Sequence, residues 1–170
     1  MQVWGVTDIG LVRKENQDAY LVRESGGHTI CVVCDGMGGA AGGRLASQIA
    51  TETFVDELER LLAPGMEPEQ LLSVSARAVF AANQAVREAA AESEAYQNMG
   101  TTLVAAVSYA GGTVVTNVGD SRAYHVTREG ITRVTKDHSL VERMVDRGDI
   151  TAEEARRHPS RNLITRALGP

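Results

Sequence analysis

The sequence predicts an α+β domain, with strands first, two long helices next and strands again at the end. Three observations point there. A continuous apolar run at residues 29–34 runs into a glycine-rich stretch. Two segments of helical periodicity then cover most of residues 44–91. Beyond residue 100, short apolar runs alternate with glycine-containing turns. A chain of 170 residues suits one domain with a core of its own. Hydrophobic residues at 43% and charged residues at 23% mark it as globular. Aromatics contribute only 4%, so Val, Leu, Ile and Ala must fill the core.

Residues 3–7 and 19–23 read as short strands separated by the polar run Arg13-Lys14-Glu15-Asn16-Gln17-Asp18. The run Thr-Ile-Cys-Val-Val-Cys at 29–34 suits a strand buried on both faces. Asp35-Gly36-Met37-Gly38-Gly39 and Gly42-Gly43 read as a loop, because so many glycines disfavour helix and strand alike. A helix is expected over 44–62, with Leu45, Ile49, Phe54, Leu58 and Leu61 inward, stopped by Ala63-Pro64-Gly65. A second is expected over 68–91, with Pro68 in its first turn and Leu72, Val79, Ala82 and Val86 inward. Strands follow at 101–109, 113–118, 122–127 and 131–134. Ser139 with Glu142 and Thr151 with Glu154 match the capping-box pattern and open two short helices. Gly148 ends the first, and Pro159 lies beyond the second.

A formal charge of -5 argues against nucleic-acid binding, which needs a basic surface. No apolar run has the length of a membrane span. The first residues, Met1-Gln2-Val3-Trp4, do not have the pattern of a signal peptide. Cys31 and Cys34 are too few for a disulfide framework, and inside an apolar strand they read as core. A cytoplasmic location is the expectation.

Asp35 ends a buried strand, and its charge must be satisfied there. A cation would do so, and Gly36 would let the backbone add a carbonyl ligand. A tight turn formed by Asp-Gly is the plain alternative. Asp120, in Asn117-Val118-Gly119-Asp120-Ser121-Arg122, holds a comparable place, with a hairpin turn as its alternative. Asp18 precedes a strand and could equally be a solvated loop charge. Oxygen ligands without His or Cys suit Mg²⁺ or Mn²⁺ better than zinc. Arg13 could grip phosphate oxygens through its guanidinium, or be an ordinary surface side chain. Among the histidines, His28, His125 and His158 read as structural or surface residues.

Together these segments resemble the metal-dependent protein serine/threonine phosphatases (PPM, type 2C), the small bacterial type in particular. The resemblance rests on Thr7-Asp8-Ile9-Gly10-Leu11-Val12-Arg13, Asn16-Gln17-Asp18, Val33-Cys34-Asp35-Gly36-Met37-Gly38-Gly39, Met99-Gly100-Thr101-Thr102, Asn117-Val118-Gly119-Asp120-Ser121-Arg122, Thr135-Lys136-Asp137-His138-Ser139 and residues 162–169, in the family's order. It implies a four-layer αββα sandwich of two mainly antiparallel sheets flanked by helices. Residues 1–170 would be the N-terminal portion of one such domain, incomplete at its C-terminus, with a flap over 135–159. It further implies that Asp35 bridges two metals, that the Gly36 carbonyl binds one of them and that Asp18 acts around the metal shell. Asp120 would help hold a third ion, and Arg13 would bind the substrate phosphate.

The implied reaction is hydrolysis of phosphoserine or phosphothreonine by a hydroxide generated on Mn²⁺ or Mg²⁺. The implied partners are phosphorylated proteins, targets of a serine/threonine kinase. Three departures stand out. Gln17 replaces a common acidic residue, and Met37 replaces the histidine of eukaryotic members. The family's later D-G and D-N aspartates have no counterpart in these residues. The competing reading is a catalytically impaired or pseudophosphatase module that binds a signalling partner.

Overall fold

The computed structural model describes residues 1–169, and of Ala40 the backbone alone. Pro170, the last residue of the expected domain, lies outside the described residues. Strands β1 (Asp18–Ser25) and β2 (His28–Met37) form an antiparallel hairpin turned at Gly26 and Gly27. Both glycines have positive φ, 58° and 80°, as a two-residue hairpin turn requires. Strand β4 (Leu103–Tyr109) pairs with the other edge of β2, and β5 (Gly112–Val118) pairs with β4. The two-residue β3 (Gly100–Thr101) extends the pairing along the end of β2. The sheet is therefore antiparallel, in the order β1-β2-β4-β5.

Helices α1 (Ala40–Leu61) and α2 (Pro68–Ala91) build a helical layer on this sheet, and α1 lies against β1 and β2. The core lies between them: Ile30, Val32 and Cys34 from β2, Leu103, Ala105 and Val107 from β4, and Phe54, Val55, Leu58, Leu71, Ala78, Ala82 and Val86 from the helices. A ribbon of β6 (Tyr124–Val126) and β7 (Ile131–Arg133) follows, then α3 (Leu140–Arg147) and α4 (Ala152–Arg157). The tail returns to the sheet, where Thr101 and Leu168 exchange backbone hydrogen bonds of 3.0 and 2.9 Å.

The α+β class and the antiparallel sheet are as expected. Of the four-layer sandwich, the described residues form the first helix and sheet layers. Among the described residues no second sheet of comparable size covers the other face, and Val33 is 46% exposed. That corrects the expectation that residues 29–34 are buried on both faces: Ile30, Val32 and Cys34 face the core, and Cys31 and Val33 face outward. Residues 3–7 are not a strand. No backbone ladder joins them to β1, and the contact there is the Tyr20 hydroxyl donating to the Gly5 carbonyl at 3.3 Å.

The glycine-rich loop is also shorter than expected. β2 continues through Asp35-Gly36-Met37, and Gly42 and Gly43 lie inside the first turn of α1. Glycine serves close approach here: a Cβ on Gly36 would sit 2.0 Å from the Gly43 carbonyl oxygen. In α2 the buried stripe is Leu71, Val74, Ser75, Ala78, Ala82, Val86 and Ala90, so Leu72 points outward at 50% exposure. Both helix starts are capped as expected, but only Thr151 and Glu154 close the full box, since the Glu142 carboxylate turns to Arg133. Ser139 accepts from the Glu142 amide, and Thr151 and Glu154 cap reciprocally. Gly148, in the left-handed region, ends α3.

Candidate metal centre

Asp18 opens β1 and Asp35 lies near the end of β2, and the ladder pairs them directly. Side chains of directly opposed residues project from the same face of a sheet, with Cβ atoms about 5 Å apart. Here that face is the outer one, away from the helices. The two carboxyls lie close enough to act on each other. Burial pushes the Asp35 carboxyl above the ordinary range, and the charge of Asp18, its hydrogen bond and the charge of Asp120 add to the rise. Arg13 acts in the opposite direction. Like charges opposed across two strands destabilise a sheet unless something offsets them.

Backbone contacts hold this end of the sheet. The Asp18 amide donates to Asn16 Oδ1 at 3.0 Å, which fixes the entry to β1. The Gln17 carbonyl accepts from the Gly36 amide at 3.2 Å and from Ser47 Oγ at 2.6 Å, so helix α1 is tied to the same corner. Gly36 is buried against Gly43 and the Gln17 carbonyl. Met37 is half-buried at the end of β2.

Asp120 is half-buried in the turn after β5. His138 grips this turn: its backbone amide donates to the Gly119 carbonyl at 2.8 Å, and its Nδ1 accepts from the Gly119 amide at 3.1 Å. Burial, then the charges of Arg166 and Arg143, lower the His138 pKa, which keeps Nδ1 free to accept. Two residues beyond Asp120, Arg122 forks onto the buried Asp137 at 3.0 and 3.1 Å from its Nε. The expected strand at 122–127 shrinks to Tyr124–Val126, and ahead of it the Ala123 amide goes to Thr135 Oγ1 rather than to a ladder partner.

The structure thus brings Asp18, Asp35 and Gly36 to one end of the sheet, with Asp120 and Arg13 within electrostatic reach of Asp35. Among the described residues, no three His, Cys, Asp or Glu side chains are close enough together to hold an ion by themselves. The compact nucleus is the Asp18–Asp35 pair, and Asp120 stands farther off. An all-carboxylate set fits a hard divalent cation, whose charge would offset the repulsion on Asp35. The thiols do not compete for that role. Cys31 and Cys34 are free, and burial pushes Cys34 up to about 12, the state of an inert core thiol.

Sequence reasoning passed over Thr102, Ser121, Gly43 and Ser47. The signal for Thr102 was present, since Met99-Gly100-Thr101-Thr102 stood out as a motif without a role.

Residues 12–160 match the family described as protein phosphatase 2C. The chain belongs to that family. Serine/threonine phosphatase stp of Listeria monocytogenes is 35% identical over 164 residues, which cover 96% of this chain and 65% of that protein. The crystal structure of serine/threonine phosphatase Stp1 from Staphylococcus aureus matches with a TM-score of 0.88 at 36% identity, over 96% of this chain and 64% of that one. A structure of the catalytic domain of PstP in complex with 2 manganese ions matches with a TM-score of 0.73 at 33% identity, over 94% and 63%. The chain spans about 65% of the length of the Listeria relatives it matches. The 2C family is metal-dependent, which agrees with a carboxylate nucleus at the sheet end. Among the described residues, no helix is long and apolar enough to cross a membrane.

Proposed function

We propose that this chain carries part of the active site of a protein phosphatase that hydrolyses phosphoserine and phosphothreonine. The reaction adds water across the phosphorus–oxygen ester bond and yields the free hydroxyl side chain and inorganic phosphate. The observation that carries this reading is the direct opposition of Asp18 and Asp35 at one sheet end, with Asp120 and Arg13 close enough to act on Asp35. Asp18, Asp35, the Gly36 carbonyl and Asp120 are the donors that would hold two or three Mn²⁺ or Mg²⁺ ions. Such ions, when bound, lower the pKa of water and neutralise charge on a phosphoryl group. Arg13 holds the phosphate oxygens of the substrate through paired N–H donors. Asp35 orients the donor set, since it lies between Asp18 and the Asp120 turn. The substrates are phosphoproteins made by a serine/threonine kinase. Two free thiols suit a reducing, cytoplasmic setting.

Release of phosphate from a phosphothreonine peptide tests the reading. In a version extended to the family's usual length, turnover is expected with Mn²⁺ and none after chelation. Asp35→Asn is expected to lower kcat by more than about 100-fold, since even outer partners of a metal site cost roughly 10- to 100-fold. Arg13→Ala should act mainly on KM, at the roughly 1.5–3 kcal/mol of a charge-assisted hydrogen bond. Undiminished turnover after chelation would end the proposal.

A further inference from the structure

Thr102 sits at the break between β3 and β4 and is 3% exposed. Both of its polar backbone and side-chain donors and acceptors near Asp35 are engaged. The Asp35 amide donates to Thr102 Oγ1 at 3.0 Å, and the Thr102 amide donates to the Asp35 carbonyl at 3.0 Å. Thr101 Oγ1 donates a second bond to the same carbonyl, also 3.0 Å. The Thr102 hydroxyl also meets Ser121 Oγ at 2.7 Å. Its methyl packs against Gly119 so closely that a Cβ there would lie 2.6 Å from Thr102 Cγ2. Gly119 and Ser121 flank Asp120. The buried Thr102 side chain therefore touches the residues on both sides of Asp120 and accepts from the Asp35 amide, while the Thr102 backbone amide bonds the Asp35 carbonyl.

We propose that Thr102 is a positioning residue: its hydroxyl joins the Asp35 amide to Ser121 and sets the spacing between Asp35 and the Asp120 turn. This rests on the reading of Asp35 and Asp120 as metal donors. A hydroxyl can accept one hydrogen bond while donating another. Thr102 Oγ1 makes both contacts, so neither survives its removal. Valine at this position keeps the shape, breaks the link to Ser121 and leaves the Asp35 amide without its acceptor. Serine keeps the hydroxyl and loses only the methyl packed on Gly119. Ser121→Ala keeps the Asp35 amide bond and cuts only the connection to the Asp120 turn.

Two measurements on the folded protein, well below its melting temperature, decide the matter. The first is Mn²⁺ affinity, read from the paramagnetic signal of free Mn²⁺. Thr102→Val should weaken binding about tenfold or more, in the roughly 10- to 100-fold range of partners that orient metal ligands. Ser121→Ala should weaken it by at least about threefold, and Thr102→Ser should stay nearer the parent than either. The second is hydrogen exchange at the Asp35 amide without metal, which should speed up in Thr102→Val and not in Thr102→Ser. If the parent binds no Mn²⁺, the reading of the site falls and this inference falls with it. If the parent binds and Thr102→Val binds equally well, the site stands and Thr102 has no positioning role. Should Thr102→Val fail to fold, Ser121→Ala decides, and unchanged affinity there overturns the proposal.

Discussion

Replacing Gly36 by alanine would place a methyl carbon 2.0 Å from the Gly43 carbonyl oxygen, 2.5 Å from the Gly43 carbonyl carbon and 2.7 Å from the Gln17 carbonyl oxygen. Ordinary contact begins near 3.4 Å, and all three neighbours are backbone atoms, so no side chain can swing aside. Relief requires the first turn of α1 to lift from the end of β2. That movement strains the Gly36 amide bond to Gln17 and the Ser47 bond to the same carbonyl. It also loosens Ala46 and Ala50 from Cys34 in the core. Overpacking a tight interior typically costs about 1–3 kcal/mol, occasionally more. With three rigid clashes the expected loss is at the top of that range, about 3 kcal/mol, or roughly 6–12 °C in Tm for a domain of this size. Gly27→Ala is the control. Its Cβ would meet nothing within 4 Å, but its φ of 80° disfavours a side chain. It should cost only the backbone term, about 1–2 kcal/mol. Urea unfolding of the three proteins measures both. A Gly36→Ala loss below about 1 kcal/mol, or one no larger than that of Gly27→Ala, would refute the close-approach argument.

Removing the buried carboxylate in Asp137→Ala leaves Arg122 without its fork partner and Arg133 without one of its two anions. A loss of roughly 1.5–3 kcal/mol is expected, with faster amide exchange confined to β6, β7 and α3, and the double variant with Arg122→Ala should lose less than the sum of the two. His138 titrates below its ordinary value when folded, so the unfolded chain takes up the proton first as pH falls. Its contribution is complete above the unfolded pKa of about 6.5 and is lost as pH drops through the folded value. His138→Asn, whose side-chain oxygen can replace the acceptor to Gly119, should therefore flatten the fall in stability between about pH 7 and pH 5. Asp35, raised in pKa, works with the opposite sign and cancels in the difference between the two proteins. Equal slopes in parent and variant would remove His138 from the pH response.

Where local chemistry governs, the sequence alone was sufficient. The two long helices and the caps at Ser139 and Thr151 all depend on residues within a few positions of one another. The misses share a different cause. Residues 3–7 alternate like a strand but find no partner ladder, and pairing is a property of two segments. Leu72 is as apolar as Leu71, and only the position of the sheet decides which of them turns inward. Gly42 and Gly43 discourage helix by propensity, yet α1 begins across them because no larger residue lets it approach β2 so closely. At the site, the aspartates were visible one by one. Their relation was not, because register pairs Asp18 with Asp35 over a separation that no motif spans.

The same contrast explains how a costly arrangement can persist. Two carboxylates facing each other across a ladder oppose folding, and neither is held by a lysine or arginine in direct contact among the described ion pairs. What keeps them together is backbone: eight register pairs between β1 and β2, the Gly36–Gln17 bond, the Gly36–Gly43 contact and the Thr102 bonds on either side of Asp35. A rigid frame that tolerates local repulsion leaves a concentrated negative site ready for a cation, so the binding energy of the ion need not be spent on assembling its donors. Substitutions in the frame should then weaken metal affinity even where they touch no carboxylate, whereas neutralising Asp18 or Asp35 should stabilise the metal-free fold while weakening cation binding. That opposite movement of stability and affinity separates a preorganised site from one that the metal itself would have to build.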